Sequence, residues 1–295
     1  MSSSRRADLI LVATTMLAAS GWIFSKETIQ GLPPFGFIGF RFVLASICLL
    51  PFCLRAFRQV HRSDIFKAMG VGVLLGISLM CWVYAISHSQ TLGEGAFIMS
   101  LSMLFVPIVA WGVFKLKPSR NFWFSLPVAV GGLLLLALGG GQAWQLSVSQ
   151  LWFLIAALTL AVHFNFNSKY ASRIPTLLLT CLQLFVTGCM ALSVAIFTET
   201  WPESVPGSIW GWFALSTLVA TSLRYVMQTT GQKYANPTNA AIIMILEPVW
   251  TVILSVIWYG EQMPPHKVMG CMMILLSLLM FRGGHLIFRR FRARA

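Results

Sequence analysis

NPTNAAIIMILEPVWTVILSVIWYGEQMPPHKVMGC, residues 236–271, sets a single carboxylate in the middle of an apolar run long enough to cross a bilayer. That carboxylate is Glu247. Counting from Pro237 at ~1.5 Å per helical residue, it lies roughly 15 Å into a hydrocarbon core of about 30 Å. It is therefore expected near the midplane. A charge at that depth costs about 2.5 to 3.5 kcal/mol on insertion scales, so an intramembrane acid reads as functional by default. The next residue, Pro248, has no N–H to offer the carbonyl of Met244, which leaves a bare acceptor one turn from the acid and predicts a kink.

The rest of the chain agrees with a membrane reading. At 57% hydrophobic and 10% charged residues, it has too little polar surface to cover a soluble globule of 295 residues. The net charge of +13 would suggest nucleic acid in a soluble protein. Here the basic residues cluster between apolar runs, as they do in cytoplasmic loops of membrane proteins, and no nucleic-acid partner is expected. Cys48, Cys53, Cys81, Cys181, Cys189 and Cys271 fall in or beside apolar runs with no metal-ligand spacing, so they are expected to pack. No metal or cofactor is expected. Arg5 and Arg6, an apolar run and Ala18-Ala19-Ser20 imitate a cleavable leader. The run continues through Gly21, Trp22, Ile23 and Phe24, so it is read as a retained span.

Runs near spanning length occur at about 8–29, 36–57, 64–86, 93–114, 120–139, 149–169, 176–198, 207–231, 237–259 and 266–288, predicting ten transmembrane helices. Helix-start chemistry backs three of them: Ser63-Asp64 at the third, Thr91 with Glu94 as a capping box at the fourth, and Asn236-Pro237 at the ninth. Gly139-Gly140-Gly141 reads as a loop, and Gly70, Gly72 and Gly76 as a close-packing stripe on a helix. With the N-terminus inside, one side collects Arg5 and Arg6, Arg55 to Lys67, Lys115 to Arg120, Lys169 and Arg173, Lys233, and Arg282 to Arg294. The other side holds Lys267, with Glu94, Glu199, Glu203 and Glu261. Lys26, Arg41 and Arg224 lie within runs. This asymmetry predicts cytoplasmic N- and C-termini.

Five spans per half would insert the second half upside down relative to the first. At a constant offset of 141, Trp22 meets His163, Pro34 meets Pro175, Tyr84 meets Tyr225, Met103 meets Met244 and Pro107 meets Pro248. The expected organisation is two five-helix inverted repeats, 1–141 and 142–295, in an all-α integral membrane protein. Such repeats characterise secondary transporters, with the substrate site near the midplane between them.

Glu247-Pro248 in the ninth span, and Tyr259-Gly260-Glu261 followed by Gly270 in the tenth, resemble the EamA-type repeat of the drug/metabolite transporter (DMT) superfamily. The first half is a degenerate match, since Lys115-Leu116-Lys117 replaces the corresponding Gly-Glu. Within the superfamily the chain is similar to the YddG-type amino-acid exporters of bacterial inner membranes. That resemblance implies export of aromatic and other, mainly neutral, amino acids through a central cavity by alternating access.

The polar and aromatic residues at membrane depth fall into helical sets that share a face. These are Trp22 with Lys26, Tyr84 with His88, His163 with Asn167, Arg224 with Gln228, and Glu247 with Trp250 and Thr251. An amino acid needs sites for its carboxylate and ammonium and a pocket for its side chain. Imidazole and amide groups serve the first two; Trp and Tyr faces suit a cation or an aromatic ring. The candidate substrate-binding residues are Trp22, Tyr84, His88, His163, Asn167, Tyr225, Gln228, Glu247 and Trp250. Lys26 is expected to snorkel outward or pair with Glu27. Arg41 and Arg224 are read either as structural ions, with Glu247 a possible partner, or as functional groups. Met99, Met103, Met227 and Met244 are read as ordinary packing rather than a substrate wall.

Partners are a small-molecule substrate and membrane lipid. A proton is a candidate coupling ion, because one membrane acid permits proton exchange, although downhill facilitation fits equally. Neither oligomeric state nor preferred amino acid is legible. An intramembrane enzyme is disfavoured: there is no HExxH, no GxSxG, and Asp8 and Asp64, the only aspartates, belong to helix starts. A phosphorylated metabolite would want several converging cations at depth. A quaternary-ammonium drug would suit Glu247 and the tryptophans, and is the alternative that keeps the fold.

Overall fold

The computed structural model describes residues 3–89, 92–115, 117–118, 120–137, 147–234, 240, 243–244, 246–260 and 264–292, without side chains at 3–5, 94, 133–134, 136–137, 267, 278 and 281–292. The described secondary structure is helical. In chain order the helices are α1 (Ser3–Thr28), α2 (Pro34–Gln59), α3 (Arg62–Ser87), α4 (Leu92–Ser100), α5 (Ser102–Phe114), α6 (Arg120–Ala137), α7 (Val148–Ala171), α8 (Thr176–Thr198), α9 (Gly207–Thr217), α10 (Arg224–Tyr234), α11 (Leu246–Tyr259) and α12 (Pro265–Arg292). Six stretches are long and apolar enough to cross a membrane: Arg6–Thr28, Pro34–Gln59, Arg62–Ser87, Gly95–Phe114, Val148–Ala171 and Thr176–Thr198.

Two runs expected to be continuous are interrupted. The fourth breaks at Leu101, between α4 and α5. The eighth carries a π-helical turn, Leu218–Leu223, between α9 and α10. In that turn the Thr221 and Ser222 hydroxyls donate to the carbonyls of Ser216 and Thr217, five residues back, at 2.8 and 3.0 Å. Such a turn widens the helix by one residue and often marks a functional site.

Helix starts follow the local chemistry, with one correction. Ser63-Asp64 does not begin the third helix; it starts at Arg62, because the His61 ring Nδ1 accepts the Ser63 N–H at 3.2 Å, and Asp64 instead accepts from Lys67 at 2.7 Å. Prolines 33, 175 and 206 precede α2, α8 and α9, where a missing N–H costs nothing. Ser147 and Gln150 form a capping box on α7. Thr91, Asn236 and Pro237 lie outside the described residues. So do Ala241, Ile242 and Ile245 of the stretch where a kink was expected; Pro248 falls in the first turn of α11.

Large apolar side chains cover the outside of the bundle as well as filling its core. Phe52, Phe197 and Ile257 are 73%, 88% and 74% exposed, while Thr14, Ser25, Gln183, Thr187 and Thr251 are buried. Large apolar side chains on the exterior suit lipid, and the buried polar groups lie among an apolar core that includes Phe37, Phe42 and Phe153. The helix α2 packs along α8, α6 along α12, and α3 against α7 and α8. Helix α1 lies against α9, α10 and α11, and α7 lies against α3, α4 and α5. The backbones of α2 and α8 approach so closely that a Cβ on Gly188 would sit 2.6 Å from the Val43 nitrogen. Gly72 of the α3 stripe meets α8 in the same way, 2.8 Å from the Gln183 Cα, and its carbonyl accepts from Thr187 at 3.0 Å.

Ring contacts record which ends meet. The C-terminal parts of α1 and α3 touch the N-terminal parts of α7 and α9: Trp22 with Phe153 (5.8 Å), Tyr84 with Trp152 (5.2 Å) and Phe24 with Trp212 (5.8 Å). At the opposite end, Leu11 of α1 lies against Gly231 of α10. Parts of α1, α3 and α7 and the first turns of α10 and α11 surround one interior space.

Candidate functional site: a cavity around Glu247

That space is a cavity of about 100 Å³, walled by α1, α2, α3, α4, α5, α7, α10, the π turn and the start of α11. At roughly 10–15 Å³ per water it has room for several waters. Its polar wall comprises Trp22, Arg41, His163, Arg224, Gln228 and Glu247, with Ser78, Ser100 and Ser102 between them; its apolar wall includes Trp82, Phe42, Phe164, Met99, Met103 and Met244.

Glu247 faces two unlike partners. The Trp22 indole Nε1 donates to its Oε1 at 3.1 Å, and the Arg224 Nη2 stands 3.7 Å from its Oε2. The second distance is an ion pair without a direct hydrogen bond. Arg224 also lies over the Tyr225 ring at 4.6 Å, and its Nε has no hydrogen-bond partner among the described residues. Trp22 meets Trp82 edge-on at 5.2 Å, which fixes the plane of the indole that reaches the acid.

Arg41 is 5% exposed and satisfied by neutral oxygens. Its Nε donates to the Thr221 hydroxyl, Nη1 to Ser25 Oγ at 2.8 Å, and Nη2 to the Ala220 carbonyl at 3.3 Å. The rings of Phe37 and Phe42 flank the guanidinium at 5.5 and 5.6 Å. Two of those acceptors belong to the π turn, so the extra residue in that helix presents Ala220 and Thr221 to the arginine. Among the described residues, Glu247 is the carboxylate on the cavity wall, against two guanidinium groups.

Of the nine candidates from sequence, Trp22, His163, Tyr225, Gln228 and Glu247 lie on the cavity wall. The other four lie elsewhere. The rings of Tyr84 and His88 meet at a tilt, centroids 4.3 Å apart, near the C-terminal end of α3, where His88 is exposed. Asn167 is one turn beyond His163, its Nδ2 donating to Gln232 Oε1 at 2.7 Å. Trp250 is half-buried on α11, its Nε1 without a partner among the described residues. Lys26 reaches the end of α3, donating to the Ser89 carbonyl at 2.6 Å, while Glu27 accepts from Trp258 at 3.2 Å. Met99, Met103 and Met244 lie on the wall. Trp82, Ser78, Ser100 and Ser102 were not singled out in sequence, because nothing distinguishes them from the other small or aromatic residues of an apolar run.

An apolar-sheathed helical bundle with a charged cavity at its core defines a membrane transporter. The chain belongs to the EamA-like transporter family, whose model matches residues 5–138 and again 148–283. It is 25% identical, over 92% of this chain and 84% of the relative, to a protein of Archaeoglobus fulgidus described as an uncharacterized transporter. It is 23% identical to the uncharacterized transporter YcbK of Bacillus subtilis, over 71% of this chain and 70% of that protein. It is 20% identical to the uncharacterized inner membrane transporter YedA of Escherichia coli K12, over 94% and 91%. A solved crystal structure shares the fold with a TM-score of 0.69 at 16% identity, covering 97% of this chain and 99% of that one.

Proposed function

We propose that this protein exports amino acids, aromatic and other mainly neutral ones, from the cytoplasm across a bacterial inner membrane by alternating access. The observation that carries this reading is the loose pair of Arg224 and Glu247 on the cavity wall. A zwitterion would part this pair, its carboxylate turned to Arg224 and its ammonium to Glu247, replacing one weak ion pair with two charge-assisted hydrogen bonds. Trp22, Trp82 and Phe164 offer ring faces for an aromatic side chain, and Met99, Met103 and Met244 a soft wall for aliphatic ones. His163, Gln228 and Tyr225 are the remaining substrate contacts in this proposal. A quaternary-ammonium drug keeps the fold but must sit beside Arg41 and Arg224, which the cavity's cationic wall disfavours.

Two five-helix inverted repeats, 1–141 and 142–295, supply the moving parts, with both termini cytoplasmic. Support comes from the pairing of helices across the halves: α1 of the first packs on α10 and α11 of the second as α7 of the second packs on α3 and α4 of the first, while α2 pairs with α8, α6 with α12 and α4 with α11. The ends that meet are opposite ends. Proton coupling through Glu247 is part of the proposal.

The test is uptake of labelled Phe, Thr, Met, a nucleotide sugar and a quaternary amine into proteoliposomes, with and without an imposed pH gradient. Saturable uptake of Phe and Met is expected, faster with the gradient. Uptake confined to the amine or the sugar would overturn the substrate assignment.

A further inference from the structure

From His163 and Gln228 on the cavity wall, a seam of buried polar side chains continues past the substrate site. It is made by three helices: His163 and Asn167 on α7, Thr180 and Gln183 on α8, and Gln228, Thr229 and Gln232 on α10. All are at least nine-tenths buried. Three cross-links hold it together: His163 Nε2 with Gln183 Oε1 at 2.9 Å, Asn167 Nδ2 with Gln232 Oε1 at 2.7 Å, and Thr180 with Thr229 at 3.3 Å. His163 and Gln228 face the cavity; Asn167 and Gln232 are four residues further along the same helix faces, near the ends of α7 and α10. The seam thus runs from the cavity toward one end of the bundle.

Five of its atoms have no hydrogen-bond partner among the described residues: His163 Nδ1, Gln183 Nε2, Gln228 Oε1, Asn167 Oδ1 and Gln232 Nε2. One unpaired buried polar atom costs about 1–3 kcal/mol, so five in a contiguous cluster call for another partner. Water is the partner that reaches both donors and acceptors in so narrow a space.

The opposite end of the bundle carries a counterpart. At the offset of 141, His163 answers to Trp22 and Asn167 to Lys26. Trp22 lies on the cavity wall, and Lys26, one turn further out, is bonded across to the Ser89 carbonyl at the end of α3. In each half, then, one helix places its first residue in the cavity and its second in a cross-link near the bundle's end.

We propose that the α7–α8–α10 seam is a water-bearing passage between the cavity and the cytoplasmic face, closed at Asn167–Gln232, and that Lys26–Ser89 closes the corresponding passage to the outside. The unpaired atoms are the groups that hydrate as the seam parts, which lowers the cost of opening. This rests on the transport reading above for its purpose and on the proposed topology for its sidedness; it does not depend on which solute is carried.

The test places a single cysteine at Thr180, in protein whose six native cysteines are replaced, and measures its reaction with a membrane-impermeant thiol reagent in sided vesicles. Labelling from the cytoplasmic face is expected. Gln232→Ala and, separately, Asn167→Ser should each raise that rate about two- to tenfold, the shift expected from losing one hydrogen bond. Lys26→Met should not raise it. Melting curves select variants that stay folded, and two variants attack the same bond from either side. No labelling from either face, or folded variants of both kinds that leave the rate unchanged, would overturn the passage. A Glu203→Cys reporter in parallel vesicles reads orientation independently, so a reversed chain is told apart from a dry seam. No substrate is used, so an error in the amino-acid assignment leaves this result standing.

Discussion

Glu247 accepts one hydrogen bond from a neutral donor and faces one cation at a distance too long for a direct bond, and that imbalance is what a substrate can exploit. Replacing it with Gln keeps an acceptor for Trp22 but removes the charge facing Arg224. A charged hydrogen bond contributes about 1.5–3 kcal/mol, so Glu247→Gln should lower kcat/KM for Phe by roughly ten- to a hundredfold. In proteoliposomes assayed across a pH series, the remaining activity should lose its response to a gradient. Unchanged transport at every pH would remove the acid from both binding and coupling. Several wall residues were legible in sequence because a polar side chain in an apolar run is conspicuous: Trp22, His163, Gln228 and Glu247 stand out that way. Tyr84, His88, Asn167 and Trp250 stood out equally and do not touch the cavity, since helical spacing tells which residues share a face and not the level at which a cavity crosses it. The serines and Trp82 carried no such signal.

Among the elements, the helix boundaries came from composition, and the interruptions did not. No proline or glycine occurs in Leu218–Leu223, so the π turn has no local signature. Its cause is tertiary: the buried Arg41 of α2 takes the Thr221 hydroxyl and the Ala220 carbonyl. The break at Leu101 is similarly silent, two residues before the wall residue Met103. The glycine stripe of α3 was legible as close packing, and Gly72 and Gly76 do meet α8, whereas a Cβ on Gly70 would meet nothing within 4 Å. The tightest approach to backbone among the described residues is Gly188 on the Val43 nitrogen, which cannot rotate away. Gly188→Ala should therefore destabilise the protein by about 1–3 kcal/mol, the usual cost of overpacking, visible as a lowered melting temperature in detergent. A melting temperature equal to that of the native protein would show that α2 and α8 can separate freely.

For the whole molecule, the expected spans and the basic clusters together predict a direction of insertion that no single helix states. A cysteine at Glu203 should be labelled by an impermeant reagent from outside intact cells, and one at Arg173 only after permeabilisation. The reverse pattern would invert the proposed topology. The offset of 141 was visible where the proposed halves call for the same residue type, as with Met103 and Met244 on the cavity wall or Pro34 and Pro175 at the starts of α2 and α8. Elsewhere lipid-facing positions accept any apolar residue and the register fades.

The pair of α2 and α8 imposes a limit on any such motion. Glu199, just past the end of α8, accepts the backbone N–H groups of Phe35 and Gly36 at 2.8 Å each, while Gly39 and Gly188 bring the two backbones together further along. Clamped at one tip and interlocked along their length, these helices cannot slide without driving backbone into backbone. In the proposed transport cycle they would serve as an axle about which the surrounding helices turn, tying the two mouths to one rotation, so that what opens one swings the other shut.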